Sequence, residues 1–200
     1  FFPKPPSAAS AGAAQPAAAA SAPDGVPAAQ LRAASERIEQ PTAAPPAVRE
    51  RVQVRTDVLA LTFDTEGGSL VRSEFLQHRD QHDPQRPVVL LDESRERVYV
   101  SQTGLIAGSA GGSFPAHKTP MKLVSGEREL RDGQDTLQLR FESPVIGGVR
   151  LVKTYTLRRG SYVLDVQHEV QNVGEAPVSP LLYVQLVRDG NKPAGESSFY

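Results

Sequence analysis

The sequence predicts an all-β domain, an antiparallel β-sandwich, that follows a disordered tail rich in proline and alanine. After residue 50, apolar and polar residues alternate with a period of two in several stretches, which is typical of strands with one face on a core and the other in water. Turn sequences that contain glycine separate these stretches. No stretch after residue 50 has the apolar spacing of a core helix. The number of strands favours two packed sheets over a single sheet.

The first fifty residues differ in composition from the rest of the chain. They contain 9 of the 17 prolines together with 17 alanines, and few branched aliphatic side chains. Such a segment cannot bury enough apolar surface to offset the entropy of ordering it. We therefore expect residues 1–50 to be a disordered linker and residues 51–200 to be the folded domain. Residues 28–40 have helical apolar spacing, but a short helix without a partner surface is marginal in water.

Four stretches carry the clearest alternation, and each is predicted to turn one apolar face towards the core. These faces are Leu59, Leu61 and Phe63; Leu137, Leu139 and Phe141; Val149, Leu151, Tyr155 and Leu157; and Tyr162, Leu164, Val166 and Val170.

Glycine-containing turns connect the predicted strands. Glu66-Gly67-Gly68 follows the first stretch, and Gly147-Gly148 precedes the third. Arg159-Gly160 separates the third and fourth stretches by the shortest hairpin gap, where a residue with positive φ is needed. Residues 181–187 are apolar on both faces, which predicts a central strand that is covered on both sides.

Charge and composition exclude several classes of function. The net charge is −1, whereas nucleic-acid binding needs an excess of clustered lysine and arginine. The absence of cysteine excludes disulfides, thiolate catalysis and cysteine zinc sites. No run of the sequence approaches the roughly 18 apolar residues of a membrane helix. Phe1-Phe2, at the start, is compatible with the end of a hydrophobic segment that lies upstream.

One segment concentrates residue types that bind metals, and it reads His78-Arg79-Asp80-Gln81-His82-Asp83-Pro84. His78 and His82 would share a face on a helix, as metal ligands often do. The segment lies between predicted strands, however, and it ends at a proline. We therefore interpret it as a solvated loop.

Two further candidates lie between residues 108 and 117. Gly108 to Ser113 resembles a phosphate-binding loop only in its glycine content, because neither the lysine nor the helix that such loops need follows it. We expect a flexible loop there. Ser113 and His117 could be imagined as nucleophile and base, but nothing in the sequence supplies a third orienting group or an oxyanion hole.

His168 is the most informative titratable residue by position, because it falls on the apolar side of a predicted strand. A carbohydrate-active site could use such a histidine as an acid or base, although it is more often a hydrogen-bonded core or cleft residue. Arg158 and Arg159 are interpreted as solvated charges that keep a sheet edge soluble. We assign no catalytic, cofactor-binding or metal-binding residue.

Three stretches, taken together and in order, resemble the large periplasmic domain of the YidC-type membrane protein insertases of Gram-negative bacteria. They are Val54 to Gly68; Pro87 to Asp92 with Val98 to Leu105; and Lys153 to Tyr162, continuing into Val170 to Pro177. Each stretch alone is a modest signal, because strands and turns are common. The segment from Gly104 to Pro120 departs from the family pattern, so its loop cannot be interpreted by this resemblance.

The resemblance implies a fold and a location. The family domain is a β-supersandwich similar to galactose mutarotases, and it follows a first transmembrane helix and a low-complexity linker. Since the family domain continues beyond the point that matches Tyr200, this chain is expected to be its first half or so, truncated. The parent protein would span the bacterial inner membrane several times, with this region facing the periplasm.

The resemblance also implies a function. The parent protein would act in protein transport, inserting membrane proteins and helping them to fold as a chaperone. It would do so alone or with the Sec translocon. The periplasmic domain would be a non-catalytic docking surface for Sec components or nascent membrane proteins, without a cofactor. The family's insertion groove lies among membrane helices, so no functional residue is carried over to this chain.

The sequence leaves two other hypotheses about the function open. One is a mutarotase-like enzyme or a carbohydrate-binding module, which would need a histidine and a carboxylate that converge in a cleft, or exposed aromatic side chains. The chain has four histidines and no tryptophan. The other is a structural spacer at the outer face, whose sole role is to hold a partner at a distance.

Overall fold

The computed structural model describes residues 49–108, 111–124 and 126–190. This part of the chain contains ten strands and no helix, which confirms the all-β prediction. The strands are β1 (Arg51–Arg55), β2 (Leu59–Asp64), β3 (Ser69–Arg79), β4 (Pro87–Glu93), β5 (Val98–Ala107), β6 (Lys122–Leu123), β7 (Thr136–Glu142), β8 (Val149–Arg158), β9 (Leu164–Asn172) and β10 (Pro180–Arg188).

The N-terminal predictions fall almost entirely outside this part of the chain. The disordered linker and the helical spacing at residues 28–40 lie outside the described residues, apart from Arg49 and Glu50. The main chain of Glu50 is hydrogen-bonded to Thr65, and the side chain of Arg49 pairs with Asp64. Both residues are therefore attached to the end of β2. The described part of the chain forms no apolar helix that could cross a membrane.

The strands form two antiparallel sheets that pack face to face. Sheet A has six strands in the order β1-β2-β3-β4-β5-β10, and sheet B has four in the order β6-β7-β8-β9. One core joins them. At its centre the ring of Phe63 in sheet A lies 4.7 Å from that of Tyr155 and 5.9 Å from that of Phe141 in sheet B. The sandwich predicted from the alternation is therefore present.

Three of the four predicted apolar faces are buried in this core. The rows in β2, β7 and β8 are each at most a few per cent exposed. The fourth row, in β9, differs. Val166 and Val170 point towards the core side but remain 40% and 43% exposed, because β9 is the last strand of sheet B in the described part of the chain.

The double-glycine turn after β2 is confirmed, and its backbone explains the need for glycine. Gly67 and Gly68 have φ values of 72° and 57°, which side chains with a Cβ rarely adopt. A Cβ on Gly67 would also lie only 2.0 Å from the carbonyl oxygen of His117. The turn therefore brings two main-chain carbonyls close to sheet B, where they matter for the site described below.

The predicted two-residue hairpin at Arg159-Gly160 is wrong. Gly160 does have a positive φ of 68°, but β8 ends at Arg158 and β9 begins at Leu164, so five residues connect them. The loop widens because Tyr162 leaves the strand and packs its ring 5.3 Å from that of Phe75. The N–H of Gly160 also donates to the Asp57 carboxylate.

Within the described residues, the prediction that residues 181–187 form a central, covered strand is also wrong. They lie in β10, which pairs with β5 and is the end strand of sheet A in the described chain. Leu182, Val184 and Leu186 pair with the inward-facing residues of β5, yet Val184 and Leu186 are 66% and 62% exposed. Sheet B ends at β9, so the strands described here leave this row uncovered.

Candidate functional site

Lys153 is the most deeply buried charged side chain between the two sheets. It occupies the core-facing row of β8 between Leu151 and Tyr155, and its exposed fraction is 0%. Its Nζ donates hydrogen bonds to the carbonyl oxygen of Gly67, at 2.6 Å, and to that of Thr103, at 2.7 Å. One side chain of sheet B thus joins the turn after β2 to strand β5 of sheet A.

Burial controls the titration of this part of the core. It lowers the pKa of the Lys153 amine to about 7, because the charged form loses its hydration. The hydroxyl of Tyr155 donates to the carbonyl oxygen of Gly68 at 2.7 Å, and burial raises the pKa of this phenol above its usual value. Tyr155 therefore stays neutral, while Lys153 is partly protonated near neutral pH.

His168 lies beside Lys153, on the inward face of β9 that the sequence predicted. It pairs with Lys153 across the β8–β9 ladder, so the two side chains share a face. Its Nε2 lies 2.7 Å from Oγ1 of Thr103. Burial and the charge of Lys153 lower the pKa of His168 to about 4. The ring is therefore neutral at neutral pH, next to a hydroxyl and opposite an amine.

His117 belongs to a second polar contact, between the loop before β6 and strand β10. The hydroxyl oxygen of Tyr183 accepts the backbone N–H of His117 at 2.9 Å and lies 2.5 Å from Nδ1 of its ring. Burial raises the pKa of Tyr183. A Cβ on Gly104 would lie 2.6 Å from the Tyr183 hydroxyl, so glycine leaves the space for it. Ser113, imagined as a nucleophile with His117, is exposed while His117 is buried.

The histidine-rich segment covers the end of β3 and part of the loop that leads to β4. His78 lies in β3, and its ring is 5.2 Å from that of Tyr162. The Asp80 carboxylate accepts the backbone N–H groups of His82 and Asp83 at 2.7 and 3.2 Å, and these hydrogen bonds lower the pKa of Asp80. The described residues contain no group of three or more potential ligands that could hold a metal ion.

The remaining sequence candidates have local structural contacts. The N–H of Gly111 donates to the Gly108 carbonyl at 3.1 Å, while Ser109 and Ala110 lie outside the described residues. Arg158 and Arg159 are exposed, as predicted, but they do not protect a sheet edge, because β8 lies inside sheet B. Arg158 pairs with Asp165, and the guanidinium of Arg159 donates to two main-chain carbonyls, those of Gln134 and Arg131.

A buried carboxylate that the sequence analysis missed lies at the end of β2. The side chain of Asp64 is 1% exposed, and its Oδ2 lies 2.5 Å from Nε of Arg49 and 3.2 Å from Nε of Arg51. Its Oδ1 accepts the N–H of Glu66 at 2.8 Å. Two arginines at the start of the domain therefore compensate this charge and tie the chain to the double-glycine turn.

Lys153 was missed too, although the sequence carries a signal for it. The row from Val149 to Leu157 has a period of two, and Lys153 occupies a core-facing position of that row. A lysine in such a place must be buried and hydrogen-bonded. No comparable signal marks the contact between His117 and Tyr183, since 66 residues separate them.

Comparisons with known proteins agree with the resemblance found in the sequence. The family model described as the YidC periplasmic domain matches residues 51–200. The chain is 52% identical over 151 residues to the membrane protein insertase YidC of Bordetella petrii, covering 76% of this chain and 26% of that protein. It is 42% identical over 160 residues to the membrane protein insertase YidC of a Janthinobacterium species, covering 80% and 27%.

A third relative, the membrane protein insertase YidC of Nitrosospira multiformis, is 39% identical over 146 residues, covering 73% of this chain and 25% of that protein. The chain spans about a quarter of the length of these relatives. The match of the family model extends over three quarters of the chain and includes all ten strands. This chain belongs to the YidC periplasmic domain family.

Proposed function

We propose that this chain is the non-catalytic periplasmic domain of an inner-membrane insertase and chaperone, which inserts and folds membrane proteins alone or with the Sec translocon. The observation that carries the proposal is the family match over residues 51–200. The relatives with 39–52% identity all bear the name membrane protein insertase YidC. The domain would face the periplasm and serve as a docking surface for Sec components or nascent membrane proteins.

The engagement of the polar side chains supports a role without catalysis. Lys153 donates to two main-chain carbonyls between the sheets, and His117 is bonded to Tyr183. His168 has the Thr103 hydroxyl as its hydrogen-bond partner and lies opposite Lys153. General acid–base catalysis by a histidine and a carboxylate needs the two groups to converge on a substrate. These side chains instead stabilise the fold.

The proposal is tested in cells that are depleted of their own insertase. The full-length protein that contains this domain is expressed, and insertion of a membrane protein reporter is followed by its accessibility to protease. We expect insertion to be restored, both by the native protein and by a His168→Ala variant. A full-length protein that reaches the membrane in normal amounts without restoring any insertion would contradict the proposal.

A second assay separates the docking role from the mutarotase-like alternative. Interconversion of sugar anomers is followed by NMR with the 200-residue chain and with its His168→Ala variant. We expect both to match the rate in buffer. A rate well above that in buffer, which the variant loses, would instead establish an enzyme that uses His168 as an acid or base.

A further inference from the structure

The contact between β9 and sheet A depends on a small number of side chains. β9 pairs only with β8 among the described strands. At its start Leu164 packs against the core, but further along Val166 and Val170 remain largely exposed. Between these two valines, His168 reaches across the sandwich to the Thr103 hydroxyl of β5. Loss or weakening of the His168 contact should therefore loosen the second half of β9.

Thr103 is bonded from two sides. Its carbonyl oxygen accepts Nζ of Lys153, and its hydroxyl bonds His168. Lys153 and His168 are directly opposite each other in the antiparallel ladder, where Cβ atoms lie about 4.5–5.5 Å apart. The histidine ring is thus held beside a fully buried amine, at the point where β9 meets the other sheet.

We propose that His168, Thr103 and Lys153 form an acid-sensitive clasp, which holds β9 against β5 while His168 is neutral and loosens when His168 takes up a proton. The hydrogen bond itself can survive protonation, because the ring can accept the threonine proton when neutral and donate to Oγ1 when charged. The cost comes from placing a second positive charge opposite Lys153 in a partly buried site. Because the ring of His168 is only half-buried, a small outward movement of β9 hydrates the charged ring.

The other titratable groups around the clasp do not offset this charge. Tyr155 packs next to Lys153 on β8 and stays neutral, with its hydroxyl on Gly68. Glu169 follows His168 in the chain but lies on the opposite face, paired with Arg140. His117 and Tyr183 are bonded to each other on the loop and β10 side. The inward rows of β10 and of β5 next to the clasp carry uncharged side chains.

The pH range of the effect follows from the two pKa values. The pKa of His168 is lowered to about 4, from an ordinary value near 6.5. The opened state binds the proton more readily, so the clasp is fully stable above about pH 6.5 and weakens as the pH falls towards 4. Lys153, with a pKa of about 7, is protonated through most of this range and repels the charged ring.

The lowering of the His168 pKa also determines how much the clasp weakens. The full shift corresponds to an increase of about 100-fold in the opened population between pH 7 and pH 4. Because the His168 ring is only half-buried, solvent screening reduces the repulsion. We therefore expect an increase on the order of tenfold.

The test is amide hydrogen exchange of the 200-residue chain at pH 7 and pH 4, with protection corrected for the intrinsic pH dependence of exchange. We expect protection of β9 amides to fall about tenfold more than that of β7. His168→Gln can keep a hydrogen bond to Thr103 without titrating, so this difference should vanish. His82→Gln, at an exposed loop histidine, should behave like the native chain. Equal loss in the His168→Gln and native chains would overturn the proposal.

A measurement on the native chain keeps the test decisive if a variant does not fold. The chemical shift of the His168 ring proton is followed by NMR as the pH is lowered. A midpoint near pH 4, with β9 protection falling between about pH 6.5 and that midpoint, supports the clasp. A midpoint near 6.5, or unchanged β9 protection while His168 titrates, overturns it.

Discussion

Strands β8 and β10 are both rich in apolar residues, but their environments are opposite. In β8, the core-facing Val149, Leu151 and Leu157 are almost completely buried. In β10, the corresponding row towards the core side is largely exposed. The difference arises from position in the sheets, because β8 lies between β7 and β9 over sheet A, whereas β10 lies beyond the last strand of sheet B in the described chain. Apolar content therefore shows that a segment is a strand, but not whether the strand is covered.

The largest effect should come from shortening matched leucines in the two strands. Leu151→Ala, in β8, leaves a cavity in the core and should reduce the free energy of unfolding by about 2–5 kcal/mol. Leu182→Ala, in β10, removes a side chain that is half exposed and should cost less than about 1 kcal/mol. Urea denaturation of both variants measures the difference. Equal losses would show that the exposed row of β10 is covered in solution.

The second effect concerns the buried amine of β8. The pKa of Lys153 is about 7 in the folded chain and near 10.4 in an unfolded chain. Between these values the unfolded state binds more protons, so stability should rise with pH, by about 2 kcal/mol from pH 7 to pH 9. Urea denaturation at these two pH values measures the rise.

The control for this prediction separates Lys153 from the other lysines. Lys153→Met should abolish the rise in stability, while Lys122→Met, at an exposed position of β6, should keep it. The Met side chain leaves two main-chain carbonyls without their partner, so Lys153→Met should also be less stable at pH 9. A native chain with the same stability at pH 7 and pH 9 would contradict the lowered pKa.

The third prediction concerns Tyr183, the one buried side chain of β10. Tyr183→Phe removes the hydroxyl that bonds the N–H and the ring of His117, and should cost about 1–3 kcal/mol, because buried polar groups are left unpaired. Leu181→Ala, two residues earlier and 55% exposed, is the matched control and should cost less. If Tyr183→Phe is as stable as the native chain, the contact does not anchor β10.

The sequence predicted what depends on neighbours in the chain. The rows in β2, β7 and β8 and the turn at Gly67-Gly68 follow from alternation and from turn chemistry, which are local properties. The burial of Lys153 was predictable on the same basis, since its position in the β8 row faces the core. These features need no knowledge of which strands lie side by side.

What the sequence could not predict depends on contacts between distant segments. The exposure of β10 follows from the point at which sheet B ends among the described strands, and no local pattern contains that information. The hydrogen bond between His168 and Thr103 joins residues 65 positions apart. The loop of five residues after β8 is set by the packing of Tyr162 on Phe75, a contact across the two sheets.

The smallest effect on stability should come from Val184, in the exposed row of β10. Val184→Lys places a charge where the side chain is already 66% exposed, so the free energy of unfolding should change by less than about 0.5–1 kcal/mol.

The effect of Val184→Lys on association should be larger, because an apolar edge strand with unpaired N–H and C=O groups is a template for pairing, which a lysine opposes. We expect the native chain to associate as its concentration rises and the variant to associate less, measured by sedimentation velocity. Gln138→Lys, on the outer face of β7, is the matched control and should leave association unchanged. A native chain that stays monomeric at high concentration would show that this row of β10 is not accessible to a second copy.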